Sequence, residues 1–301
     1  MAANSIGRFW SSYRQRLIAR SEAIPRALGQ LTVALTIGWA GIFVALASFR
    51  ILASPRFAND PGDWLGLLAP YAAIALAPLA GFLLGQACYP QDARLSPPGV
   101  RLSTWGRWRQ LAIKEVQAHP LFGPAGFMAS LLIGLLLNVV LRSVEFLIAM
   151  PALSAQAPSW GRELFLLMAG DVGVMAFFYM VAFAFALHSV TLFPRMLAFC
   201  WMLDILIQLL IARYIGALPE LPADVALALG DLLWGNVAKV LISAFVWLPY
   251  LLLSERVNIT YRHRTTHDLR RFPIDSIDEA ADTDPAARHQ GPPAPGRGRK
   301  D

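Results

Sequence analysis

Apolar residues come along this chain in long runs separated by short polar stretches. Six runs, Leu31–Leu52, Trp64–Ala87, Phe127–Met150, Leu164–His188, Met196–Ala217 and Leu232–Ser254, stand out. Each is close to the roughly 20 residues that a helix needs to cross a hydrocarbon core about 30 Å thick. None shows the alternation of outer-membrane barrel strands, which run about 10 residues each. A helix satisfies its own backbone groups in lipid. The pattern predicts an all-α, polytopic transmembrane bundle of about six spans.

Composition points the same way. Hydrophobic residues make up 56% of the 301 and charged residues only 15%, and the mean hydropathy is +0.49. A soluble domain carries about 25% charge, so the apolar surplus must face lipid. Two cysteines, Cys88 and Cys200, make no disulfide framework.

The charges are sided. Of the 26 Lys and Arg, 20 fall before the first span, between spans two and three, at Arg195, or in the tail from Arg256 to Lys300. The intervening loops hold only Arg56 and Arg162, and the last of them is acidic, with Glu220, Asp224 and Asp231. The positive-inside rule then places both termini in the cytoplasm of a bacterial inner membrane. Because the basic residues are assigned to that face, the net charge of +6 calls for no nucleic acid. A cleaved signal, suggested by Ala45-Leu46-Ala47, fits poorly with a head of about 30 residues and an apolar run of full spanning length.

Five segments follow. Residues 1–30 form a cytoplasmic amphipathic segment, with Ile6, Phe9, Trp10, Tyr13 and Leu17 at helical spacing. Residues 31–88 form a two-span hairpin. Residues 89–119 form a basic loop, in which Thr104 is predicted to cap an interfacial helix carrying Trp105, Trp108, Leu111, Ala112 and Val116, ended by His119-Pro120. Aromatic anchors beside basic residues suit the anionic lipids of the inner leaflet. Residues 120–263 form a four-span unit, and 264–301 a polar, Pro- and Gly-rich tail predicted to be disordered. The His263–His267 spacing lies in a polar arm without a zincin pattern, so both histidines are expected to be solvated.

The sixth span closes in Trp247, Pro249 and Tyr250, followed by Ser254, Arg256, Val257, Thr260 and Tyr261. This W-x-P-Y, S-x-R-V, T-Y sequence resembles the C-terminal signature of a bacterial membrane-protein family, domain of unknown function 2569. The Leu192-Phe193-Pro194-Arg195 turn is similar to that family's cytoplasmic turn. The likeness covers about residues 120–263 and implies a four-helix unit, without implying a reaction. Glu255 and Asn258 depart from it, standing where the family often has Lys. In physical terms Pro249 can kink the sixth helix, Trp247 and Tyr250 suit headgroup depth, and Ser254 and Arg256 would hold the chain's exit from the membrane.

Charge inside a span is costly and marks a site by default. Arg142, Glu145, Asp171, Arg213 and Lys239 are predicted to share one outer layer, with Asp204 and Gln208 deeper and His188 at the opposite end. Arg142 and Glu145, one turn apart, can neutralise each other; Asp204 has no base within a turn of its own helix. The layer reads either as salt bridges fixing helix register or as a polar vestibule open to the outside. In span two, Ala69, Ala73, Ala77, Gly81 and Gly85 form a small-residue stripe suited to close packing on the four-helix unit, a partner protein or a second copy.

No P-loop, G-x-S-x-G or zinc-ligand set occurs, so no catalytic, cofactor or metal residues are assigned. Three function classes remain. The first is a non-enzymatic accessory or assembly component. The second is a small transporter or permease-like protein using the outer polar layer and Asp204. The third is a membrane-embedded enzyme acting on lipid headgroups through Asp171, Glu145 or His188.

Overall fold

The computed structural model describes residues 2–52, 64–88, 108–151, 157–218 and 221–266, except the side chains of 2–22 and 64–67. The elements are α1 (Ala2–Leu52), α2 (Trp64–Ala87), β1 (Arg109–Gln110), α3 (Ile113–Ala118), α4 (Phe127–Ala149), α5 (Ser159–Leu187), α6 (Phe193–Gly216), α7 (Ala223–Leu253), α8 (Glu255–Arg262) and β2 (Arg264–Thr265). Six helices, α1, α2, α4, α5, α6 and α7, are long and apolar enough to cross a membrane. The chain is an all-α bundle, as the hydropathy pattern predicts. The amphipathic face around Trp10, Thr104 with Trp105, His267 and the tail lie outside the described residues or side chains.

α5 is the centre. From Tyr179 to Leu187 every one of its side chains is buried, and α2, α4 and α6 pack around it. The closest pairing is α2 on α5, and glycine makes it feasible. A Cβ at Gly81 would sit 2.2 Å from the Phe177 carbonyl oxygen, and one at Gly85 would sit 2.7 Å from the Ala184 Cβ. The small-residue stripe is thereby divided: Gly81 and Gly85 seat the hairpin on the four-helix unit, whereas Ala69 and Ala73 are exposed and Ala77 half-buried. At the other end of α2, the Tyr71 ring meets Phe43, Phe146 and Phe165 at centroid distances of 6.4, 6.0 and 5.5 Å. Arg50, closing α1, donates to the carbonyls of Met150 and Ile148 at the end of α4, where a cation is favoured.

Two expected interfacial helices are not separate helices. α1 runs unbroken from Ala2 through Pro25 into the first span, because a lone proline among Ala, Arg, Leu and Gln removes one hydrogen bond without ending the helix. Arg109 and Gln110, predicted within a Thr104-capped helix, instead pair antiparallel with Thr265 and Arg264. The Arg264 guanidinium lies 4.3 Å from the Trp108 ring centroid, a cation–π contact that adds to the pairing. Among the described residues there, α3 is helical, and it stops at His119 as expected.

The C-terminal signature differs most. α7 continues through Pro249, and the break falls at Ser254, whose ψ of 127° is extended. The signature residues beyond it do not form an exposed exit from the membrane: Val257, Thr260 and Tyr261 are fully buried. The Tyr261 hydroxyl donates to the Ala186 carbonyl at 2.8 Å and its ring packs on Phe193. Thr260 Oγ1 accepts the Gly123 N–H, and Arg256 reaches the Gly123 carbonyl. The Asn258 amide donates to the carbonyls of Leu252 and Ser254, while its oxygen accepts from Arg262 and Arg264 at 2.9 Å each. His263, expected in solvent, is 2% exposed and takes a left-handed φ of 51°. α8 and β2 thus close one end of the bundle. Trp247 and Tyr250 tie α7 to the start of α4 by packing on Phe127 at 4.9 and 5.0 Å.

Candidate functional site

Three helices each contribute one charge to a single buried cluster. Arg142 on α4 donates Nη1 to Asp204 Oδ2 on α6 at 2.5 Å and Nη2 to Asp171 Oδ2 on α5 at 2.8 Å. Both aspartates are buried. The Tyr179 hydroxyl adds a 2.9 Å bond to Asp204 Oδ2, and Gln208 Nε2 a 3.0 Å bond to Asp171 Oδ2. Gln208 in turn accepts from Asn236 of α7 at 3.5 Å. The cluster therefore links all four helices of the unit. In each carboxylate one oxygen takes two donors, while Oδ1 is buried and has no hydrogen-bond partner.

The pairing expected between Arg142 and Glu145 is absent. Arg142 turns to α5 and α6, and Glu145 accepts instead from Lys239 Nζ of α7 at 2.6 Å. Their one-turn separation on α4 allows a pair, but two carboxylates on neighbouring helices offer the buried guanidinium better partners. Asp204, without a base on its own helix, finds one across the bundle. The depth is also revised. α5 begins at Ser159, so Asp171 lies 12 residues inside it, as Asp204 lies 12 residues from the Gly216 end of α6. At about 1.5 Å per residue both are about 18 Å from those ends, well within the bundle. Arg213 is exposed near the end of α6 and takes no part. His188, hydrogen-bonded to Gln86, is 17 residues from Asp171 along the chain at the far end of α5, about 25 Å away. The acid and histidine set of the lipid-enzyme reading does not converge.

A cleft of about 300 Å³ opens beside the cluster, where α4 and α7 stand apart over a floor of α5 and α6. Its polar lining is Asn138, Arg142, Glu145, Tyr179, Asn236, Lys239 and Ser243, and its aromatic walls are Trp201 and Trp247. Arg142 and Tyr179 face the cleft and bond Asp204, so they separate that carboxylate from it. A second cavity of about 20 Å³ touches Asp171 and shares Arg142, Glu145 and Asn236 with the cleft. That is room for one water molecule. Tyr179 and Trp201 are missing from the sequence-level site, and Trp247 figures there only as a signature residue. Their signal is faint, because aromatic residues do not interrupt an apolar run as charges do.

Comparison with models of protein families, with characterised proteins and with solved structures finds no match.

Proposed function

We propose that this multi-pass membrane protein is a small permease-like carrier that receives a zwitterionic solute in the cleft between α4 and α7. The observation that carries the reading is the Glu145–Lys239 pair spanning that cleft, with side-chain exposures of 41% and 60%. Both groups are reachable, and each can exchange its partner for the ammonium or carboxylate of a solute. Asn138, Asn236 and Ser243 supply neutral hydrogen-bonding groups, and Trp201 and Trp247 an apolar wall. About 300 Å³ lies at the small end of ligand pockets. The basic end, with Arg195, Arg262 and Arg264, is read as facing the cytoplasm of a bacterial inner membrane, in keeping with the resemblance to domain of unknown function 2569 over residues 120–263.

The test is binding of radiolabelled amino acids to the purified protein in lipid nanodiscs. Wild type is expected to bind a member of the zwitterionic set, and Lys239→Ala and Glu145→Ala each to lose most of that binding. A wild-type protein that binds none of the set, or binds equally well in both variants, sinks the reading. A second reading, an accessory protein held to a partner helix, is favoured by the exposed Ala69 and Ala73 on α2. It expects a partner chain to co-purify in mild detergent and to be lost on Ala73→Leu.

A further inference from the structure

We infer that the Asp171–Asp204 pair holds one exchangeable proton, taken up at Asp171 Oδ1 from the cleft. The first ground is charge. Two carboxylates face one guanidinium, which leaves one uncompensated negative charge among buried groups on three helices. An unbalanced charge in a low-dielectric interior is removed most cheaply by a proton. The groups facing the pair are Arg142 on α4, Tyr179 on α5 and Gln208 on α6, with the Cys200 thiol near Asp204. Asn236 of α7 reaches Gln208. Lys239 cannot supply the missing charge, since Glu145 already neutralises it.

The second ground is the disposition of oxygens. Each aspartate directs Oδ2 at its two donors and leaves Oδ1 buried without a hydrogen-bond partner. Asp171 borders a cavity of about 20 Å³, which has room for a water molecule to accept from an Oδ1–H group. The third ground is access. Arg142, Glu145 and Asn236 line both this cavity and the cleft, so only side chains divide the Asp171 cavity from the cleft there, while Asp204 stays behind Arg142 and Tyr179. In the step itself a hydronium ion in the cleft gives up its proton, an O–H bond forms at Asp171 Oδ1, and water is left behind. The cluster goes from one net negative charge to none, and the Arg142–Asp204 bond is kept. A role for this proton in driving solute movement rests on the carrier reading above; the proton site itself does not.

The experiment is infrared spectroscopy of the full-length protein in phosphatidylcholine bilayers at neutral pH, with melting temperatures measured alongside. Wild type is expected to show the C=O stretch of a protonated carboxyl group, shifted on transfer to D2O, and Asp171→Asn to lack it. Because Asn mimics the protonated acid, Asp171→Asn should melt within a few degrees of wild type. The Asp171→Asn/Asp204→Asn double variant, which leaves Arg142 without a carboxylate, should melt far lower than the two single changes predict by addition. A wild-type spectrum without the band, a band that persists in Asp171→Asn, or additive losses in the double variant overturns the proposal. A band abolished by replacing choline chloride with sodium chloride would instead assign the site to a sodium ion and also overturn it. A wild-type protein that shows the band but binds none of the zwitterionic set would count against the carrier reading alone.

Discussion

The guanidinium of Arg142 gives one nitrogen to each of two aspartates on two other helices, and only 11% of its side chain is exposed. Removing one partner of a buried ion pair costs about 3–5 kcal/mol, because the remaining charge is left without compensation. Arg142→Ala strands the Asp204 carboxylate and takes a donor from Asp171, and is expected to lose at least that much in a detergent unfolding titration. Glu145→Gln should not restore the loss, since Glu145 belongs to Lys239, whereas Asp204→Asn should restore part of it. Rescue by Glu145→Gln alone would contradict the observed pairing. A second residue-scale expectation concerns His263 at the closed end of the bundle. Burial lowers its pKa from the ordinary 6.5, so the fold favours the neutral ring. Its contribution to stability is complete above about pH 6.5 and is lost as pH falls through the lowered folded value. The melting temperature should drop on acidification below that point, and His263→Gln should flatten the drop.

Among the elements, α2 makes the sharpest test. A side chain at Gly81 collides with the backbone of Phe177, which cannot move aside as the end of a flexible chain can. Gly81→Leu is expected to lower the melting temperature sharply by lifting α2 from α5, while Ala69→Leu, on the exposed end of the same stripe, should change it little. Equal effects would remove the division of the stripe. The stripe itself is legible in the sequence, but which half packs inward is not, because that depends on where α5 crosses. The same limit governs the site. Charges within apolar runs announce themselves, yet Arg142 pairs with residues 29 and 62 positions away, and those partners are set by helix rotation and neighbour order. Two helices start earlier than the apolar runs do, for a local reason. Trp160 to Glu163 and Ala223 to Asp231 mix polar with apolar positions, so hydropathy alone places the start of α5 at Leu164 and of α7 at Leu232. The burial of Asn258 and Arg262 was hidden by their polarity, which reads as solvated arm until Asn258 is seen to bond the end of α7 and both arginines.

Across the whole molecule, the two ends of the bundle differ in charge and in construction. One end is closed by α3, α8 and β2 and carries Arg195, Arg256, Arg262 and Arg264. The other carries the connections after Met150 and Ala217, with Glu163, Asp224 and Asp231 near it. Basic residues beside spans are retained on the cytoplasmic side, and short loops obey this most strictly. The α5–α6 turn is short and Arg195 lies beside it in the first turn of α6, so it is the strongest local determinant of orientation. Reporter fusions after Ala157 and Leu218 are therefore expected to read outside, and fusions after Arg101 and Arg264 inside. Replacing Arg195 with Glu should weaken the inside reading at the α5–α6 turn before it affects either terminus, because the N-terminal segment and the tail hold most of the remaining basic residues. An outside reading after Arg264 would turn the molecule over and put the end closed by α3, α8 and β2 on the external side. Orientation thus decides which compartment the basic end of the bundle faces, and one set of four fusions measures it.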